Sequence, residues 1–300
     1  MLIRSKLTAF DFALYAVVVL AWGLAWIGIH FQVGVVAPAV SIFWRFLLAG
    51  LVMLAIAAFR GDRLRYSLAD HAAFALLGLL LFSINFLLFY HAAETLPSGL
   101  LSIVFSLASF INVWLGALFL NMPVDRRVVA GGLLGTAGMA ALFYPQFAGS
   151  PVPHGALIAL CLCVLGTFAF CFANILSARL SVRKYPVFAS SGYGMLYGSA
   201  SLALYALLRG YEFTVEWTLP YLGGLIYLAL IASVLAFTCY LTLLGRIGAD
   251  RAAYVTVLGP IVALAVSTWV ENFQWTAIAA AGLAAVIAGN VLVLKPRKTR

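Results

Sequence analysis

The chain carries the same punctuation twice. Displaced by 151 residues, Gly131 falls on Gly282, Gly138 on Gly289 and Ser109 on Pro260; displaced by 148, Pro38 falls on Pro186 and Gly50 on Gly198. Both displacements are close to half of the 300 residues, so the chain reads as an internal duplication, 1–147 followed by 148–300. Each half holds five long apolar stretches, at 11–30, 38–59, 70–90, 96–120 and 126–144, then at 154–179, 185–208, 218–244, 250–270 and 275–294. A unit with an odd number of membrane crossings leaves its copy upside down. The prediction is an all-α integral membrane protein, with ten transmembrane helices arranged as two inverted five-helix repeats and any site at the midplane between them.

Composition leaves little else. Apolar residues make up 65% and charged residues 9% of the chain, against about 45–50% and about 25% in soluble domains. Lipid, the remaining place for that much apolar surface, admits only helices or closed barrels. Barrel strands alternate apolar and polar residues, whereas these stretches stay apolar for about 20 residues, the length of a bilayer-spanning helix. No connection is long enough to fold by itself, and the linker Pro145–His154 between the halves is uncharged, so no catalytic domain and no enzyme activity are expected. The first stretch follows Arg4 and Lys6 as a signal peptide would, but it is too long and lacks a small-residue cleavage site; a retained helix is expected.

The net charge of +9 would suit a nucleic-acid binder but for its distribution. Sixteen of the eighteen Lys and Arg lie on one side of the predicted membrane; the opposite connections hold only Arg209, and Arg45 lies inside a stretch. This asymmetry predicts a cytoplasmic basic side and, with an even span count, two cytoplasmic termini. The expected partners are the lipid bilayer of an inner or plasma membrane and a small solute, not nucleic acid, with the chain a monomer or weak dimer.

Cys161, Cys163, Cys171 and Cys239 sit in apolar stretches and read as packing residues; no disulfide, metal or cofactor is implied. Gly131-x-x-x-Gly135 and Gly194-x-x-x-Gly198 place small residues on one helix face, where two backbones can approach, and neither has the strand–loop–helix context of a phosphate loop. Pro260 removes a backbone hydrogen bond deep in the ninth stretch. Its repeat partner, Ser109, can bend a helix by bonding back to the preceding turn. Ser109 and Pro260 are therefore candidate hinges, with a static kink as the alternative.

Arg45 lies seven residues beyond Pro38, roughly 10 Å along a helix. Two readings follow: it snorkels to the outer interface or pairs with Glu94 or Glu271, or it faces a cavity and attracts a substrate carboxylate. The first is favoured, because the outer interface is within reach. Cavity candidates are the mid-stretch aromatic and small polar residues Trp22, Trp26, Asn85, Ser106, Ser109, Asn112, Trp114, Asn174, Tyr193, Tyr197, Ser233, Thr238, Tyr240, Tyr254 and Thr256, while Tyr66, Trp217, Trp269 and Trp275 read as interfacial belt residues. The amides of Asn85, Asn112 and Asn174 must find partners and so face inward, more often toward another helix than toward solute. As a set these groups suit a neutral or zwitterionic solute with an apolar side chain.

At this point the residues resemble a family, the EamA-type repeat of the drug/metabolite transporter superfamily. The matching pieces are Ala21-Trp22-Gly23, Pro38 followed by Arg45, the Ala92–Ser109 stretch, Leu243–Pro260, and the paired glycines of the fifth and tenth stretches up to Gly282 and Gly289. The usual glutamate after the fourth span is missing, with Leu120-Asn121-Met122 in its place and Glu271 near the equivalent position of the second half. The resemblance implies solute export by alternating access, with helices one to four and six to nine around a central cavity and five and ten supporting them. It points to the amino-acid exporters, aromatic ones included. The sugar-phosphate and nucleotide-sugar relatives would need several intramembrane cations, and this chain has one.

Coupling is read from the acids. Asp11, Asp62, Asp70, Asp125 and Asp250 sit at the basic side and Glu94, Glu212, Glu216 and Glu271 at the other, none in mid-stretch. Proton-driven export uses a buried carboxylate that titrates, so movement down the solute's own gradient, or exchange, is expected. The alternatives are a proton-coupled drug or organic-cation pump using His30, His91 or His154, a polytopic membrane enzyme, and a non-transporting receptor.

Overall fold

The computed structural model describes residues 8–121, 126–147, 154–181, 185–247 and 255–294, and among them there are helices and short connections but no strand. The α-helices are α1 (Ala9–His30), α2 (Pro38–Phe59), α3 (Leu68–Gly78), α4 (Asn85–Ala93), α5 (Ser98–Ser106), α6 (Ala108–Leu120), α7 (Arg126–Phe147), α8 (His154–Ser181), α9 (Val187–Leu208), α10 (Leu219–Ile226), α11 (Ala236–Ile247), α12 (Val255–Val270) and α13 (Ala277–Leu294). Two π-helical segments, π1 (Leu79–Ile84) and π2 (Tyr227–Leu235), join α3 to α4 and α10 to α11. Among the described residues, seven runs are long and apolar enough to cross a membrane: Ala9–His30, Pro38–Phe59, Leu68–Ala93, Ser98–Leu120, Arg126–Tyr144, Gly155–Ser177 and Leu219–Tyr240. Val255–Val270 and Ala277–Val293 are shorter apolar helices. α9 has the length, at 22 residues, but Ser190, Ser191, Ser199, Ser201 and its glycines lower its hydropathy.

Helix ends follow local rules. Thr8 and Ser67 cap α1 and α3 through reciprocal bonds with Asp11 and Asp70. Pro38 opens α2, where its missing N–H leaves nothing unpaired. Left-handed Gly61 (φ 72°) and Gly210 (φ 69°) follow the ends of α2 and α9. Asn121 and Asn272, displaced by 151 residues, both stand at φ 54° just beyond α6 and α12. π1 and π2 begin at residues displaced by 148, Leu79 and Tyr227. The duplication thus extends from sequence punctuation to the irregularities of the backbone.

It extends to packing as well. α7 and α13 run antiparallel, with their glycines facing. A methyl group on Gly131 would stand 2.6 Å from the Gly289 carbonyl oxygen, and one on Gly138 would stand 2.6 Å from that of Gly282. Gly131 and Gly282 are repeat partners, as are Gly138 and Gly289, so each glycine meets the partner of the other. Reciprocal contact of this kind is what two copies related by a two-fold axis make. α2 and α9 also pair, with the Ser199 hydroxyl donating to the Phe43 carbonyl at 3.1 Å. α1 lies against α12, π2 and α11, and α4 lies against α8. The two larger apolar clusters among the described residues are centred on α2, α9 and π2 and on α4, α5 and α8, and Trp26 of α1 packs against both.

Candidate functional site

The main polar group inside the bundle gathers around Arg45. Its side chain is only 4% exposed. Neither snorkelling nor pairing with Glu94 or Glu271 is observed: Glu94 lies 3.6 Å from His91, and Glu271 lies 3.1 Å from His30. Instead the guanidinium donates from Nε and Nη2 to the Ser233 hydroxyl, at 3.4 and 3.3 Å. It also stands over the rings of Phe46 and Phe86, at 4.8 and 4.4 Å from their centroids. Nη1 is buried without a hydrogen-bond partner.

The π segment explains why Ser233 is available. Its hydroxyl donates to the Leu228 carbonyl, five residues back, at 2.8 Å. The hydroxyl proton is committed within π2, which leaves the oxygen lone pairs for Arg45. Asn85, the repeat partner of Ser233 (85 to 233), directly follows π1. It is 2% exposed, donates to the Leu81 carbonyl at 3.3 Å, and leaves its side-chain oxygen without a partner. Repeat-related irregularities therefore place two polar groups inside the bundle, as π segments at functional sites do.

A second chain of polar groups runs from Arg45 toward the end of the bundle that holds His30. Tyr90, fully buried, faces the guanidinium and donates to Gln32 at 3.3 Å. The Gln32 amide donates to the Tyr221 carbonyl at 3.3 Å, and the hydroxyls of Ser41 and Tyr221 meet at 2.9 Å. Sequence reasoning passed over Gln32, Ser41, Tyr90 and Tyr221. The repeat offered one signal, since Tyr90 is displaced by 148 residues from Thr238, which was a candidate.

The other candidates separate. Trp26 sits at the meeting of the two apolar clusters, with its ring 5.2 Å from Phe89 and 5.5 Å from Phe105. Trp22 donates to the Ala232 carbonyl of π2 at 3.1 Å and packs on Phe237 and Tyr240. Thr238 bonds back to Val234, and Thr256 is half-buried in α12. Asn174 and Asn112 bond each other across α8 and α6 at 3.3 Å, as inward amides should. Tyr254 lies outside the described residues.

Three expectations need correction. Ser106 and Ser109 do not stand with Arg45: Ser109 donates to Asn290 of α13, and Asn290 donates to Ser106 at 3.3 Å, so both serve helix packing. Span four does break between them, at Leu107, whereas α12 runs unbroken through Pro260. Trp114 is 58% exposed and faces away from the interior. Tyr193 and Tyr197 reach along α9 to the basic end, where they bond the Leu64 carbonyl and His71 at 2.9 and 3.0 Å. There they join Phe74, Tyr185 and Tyr66, whose phenol burial pushes above its ordinary pKa.

Each end of the bundle carries a charged contact between helices. At one, the Glu271 carboxylate accepts from the Ser98 backbone amide at 3.0 Å and from its hydroxyl, and faces His30. At the other, Arg246 of α11 pairs with Asp11 of α1. No group of three His, Cys, Asp or Glu able to hold a metal comes together among the described residues.

A helical membrane protein built from two copies of one unit, with a polar cluster where the copies meet, is the architecture of a solute transporter. The chain belongs to the EamA-like transporter family, whose model matches residues 12–144 and 157–295. It is similar to the "Uncharacterized inner membrane transporter YedA" of Escherichia coli K12, at 26% identity over 96% of this chain and 92% of that one. It is 25% identical to a "Probable amino-acid metabolite efflux pump" of the same organism, over 96% and 97% of the two chains. A solved crystal structure shares the fold, with a TM-score of 0.69 and 18% identity over 94% of this chain and 95% of its own.

Proposed function

We propose that this protein exports small neutral or zwitterionic metabolites, foremost amino acids and aromatic ones among them, from the cell across the inner membrane. Ten helices cross the membrane as two inverted five-helix halves, 1–147 and 148–300, with both termini in the cytoplasm. Alternating access moves the solute between them, and Pro260, with the break at Leu107, lets the halves flex.

The observation that carries this reading is the buried group Arg45, Ser233 and Tyr90, polar, aromatic and free of carboxylates, placed where the repeats meet. The name of the efflux-pump relative agrees with it. Every described carboxylate lies near a helix end or in a connection, so export follows the solute's own gradient or exchange. Efflux from proteoliposomes loaded with a panel of neutral amino acids, with and without a pH gradient, tests this. Saturable efflux of a subset, unchanged by the gradient, is the expected result, and no saturable flux of any of them would overturn it.

A second reading, proton-coupled export, draws on the His30–Glu271 pair, in which an imidazole meets a buried carboxylate at 3.1 Å. Efflux that appears only with the gradient would select it.

A further inference from the structure

We infer that Arg45 is the residue that binds the carboxylate of the transported solute, and that the site reads this carboxylate and an apolar body but not an amino group. The inference rests on the export reading and extends its substrate class from zwitterionic amino acids to small monocarboxylate anions with aromatic or aliphatic bodies. Amino acids are the members of that class that also carry an ammonium.

The first ground is charge. A guanidinium inside a membrane protein needs an anion, because an uncompensated buried charge is among the costliest arrangements a protein can hold. The described carboxylates are engaged elsewhere: Asp11 with Arg246, Asp62 with Arg60, Asp70 with Ser67, Glu94 with His91, and Glu271 with His30 and Ser98. Glu216 bonds Thr218, and Glu212 is exposed in the connection before α10. Arg45 meets the Ser233 hydroxyl, the Tyr90 phenol and two phenyl faces, all of them neutral, and Nη1 makes no hydrogen bond of good geometry. Among the described residues no carboxylate meets Arg45, so we assign the anion to the solute.

The second ground is geometry. Ser233 holds one edge of the guanidinium, and Nη1 is left over. A planar fork with spare donors matches a carboxylate. The side chains packed around Arg45 are aromatic, with Phe46 and Phe86 under the guanidinium and Phe82 and Phe237 following beyond Phe46, a surrounding that suits a hydrocarbon body. The third ground is what is lacking. Arg45 plus one carboxylate is neutral, and an ammonium brought in with it would add a second buried cation with no acid beside it. The nearest ring faces, Phe46 and Phe86, already hold the guanidinium and so are not free for an ammonium.

The test is binding, which needs no flux. The full-length protein in detergent, in chloride-free sulfate buffer, is titrated calorimetrically with phenylacetate, phenylalanine and phenethylamine. Phenylacetate is expected to bind at least as well as phenylalanine, and phenethylamine not to bind. Arg45→Gln should weaken phenylacetate by about 30-fold or more, the loss expected on removing one side of a buried charge pair, and Arg45→Lys should recover part of it. If Arg45→Gln does not fold, Ser233→Ala and the ligand series on the unaltered protein decide alone. Phenethylamine binding as well as phenylalanine, or phenylacetate binding unchanged by Arg45→Gln, overturns the inference. So does a chloride titration that stabilises the protein while phenylacetate does not, since the anion would then be a halide. Binding without flux sinks only the export reading; flux of amines with no dependence on Arg45 sinks only this inference.

Discussion

Glu271, just past the end of α12, caps Ser98, the first residue of α5. Both carboxylate oxygens lie 3.0 Å from the Ser98 amide nitrogen, while the hydroxyl also donates to the carboxylate. The charge sits where the unpaired amides of α5 concentrate positive potential, and His30 of α1 closes the group. Three helices from both halves are held by this one side chain. Glu271→Gln keeps the shape and removes the charge, and charge-assisted bonds of this kind contribute about 1.5–3 kcal/mol each. The variant is expected to melt at lower temperature and to open this end. Ser102→Cys in α5, a buried position, would then react faster with an impermeant thiol reagent in a cysteine-free background. Unchanged melting and labelling would show that Glu271 holds nothing shut.

The glycines of α7 predict a contrast within one motif. At Gly131 a methyl group would meet the Gly289 carbonyl at 2.6 Å, whereas at Gly135 its nearest neighbour is the Leu107 side chain at 3.9 Å. Gly131→Ala must push two backbones apart, an overpacking cost of about 1–3 kcal/mol. Gly135→Ala has room, and alanine favours a helix over glycine by about 0.5–1 kcal/mol. Thermal unfolding in detergent should therefore fall for the first and hold or rise for the second. Equal effects would mean that α7 and α13 do not meet as described.

Much of the fold is legible in the sequence because lipid imposes length. The stretch expected at 38–59 is the helix Pro38–Phe59, and the displacement of 148 recurs in the starts of π1 and π2. Faces are harder to read. In a helix apolar all round, periodicity does not say which side meets protein, which is why Trp114 was misplaced. Tyr193 and Tyr197 were placed by their backbone positions, but a phenol reaches another turn, and theirs reach the connection before α3 and His71. The Ser109–Asn290 contact spans most of the chain, and no local pattern announces it. Arg45 was found because a lone charge in an apolar run stands out; its companions Gln32, Ser41 and Tyr221 are ordinary residues made special by tertiary contact alone.

Pro260 sits inside α12 without ending it. A proline in a helix interior costs about 3 kcal/mol through a lost bond and a crowded turn. Pro260→Ala is thus expected to raise the melting temperature. If the weakened turn is used when the halves exchange positions, the same variant should slow efflux severalfold while substrate binding stays unchanged. Efflux at the original rate would make the proline a static kink.

The contact at the basic end predicts the opposite shift from Glu271. Asp11 of α1 pairs with Arg246 of α11, and Thr8 binds both. If Glu271–Ser98 closes one end and Asp11–Arg246 the other, the balance between the two open forms depends on the difference between the contacts, and each 1.4 kcal/mol removed from one shifts it about tenfold. Asp11→Asn weakens the basic end alone. It should raise thiol labelling of Leu243→Cys, buried in α11 one turn before Arg246, and lower labelling of Ser102→Cys from the opposite side. Glu271→Gln should do the reverse, and the double variant should return the balance toward that of the unaltered protein. Parallel changes in both reporters, in either single variant, would mean that these pairs stabilise the fold as a whole and do not choose between its open forms.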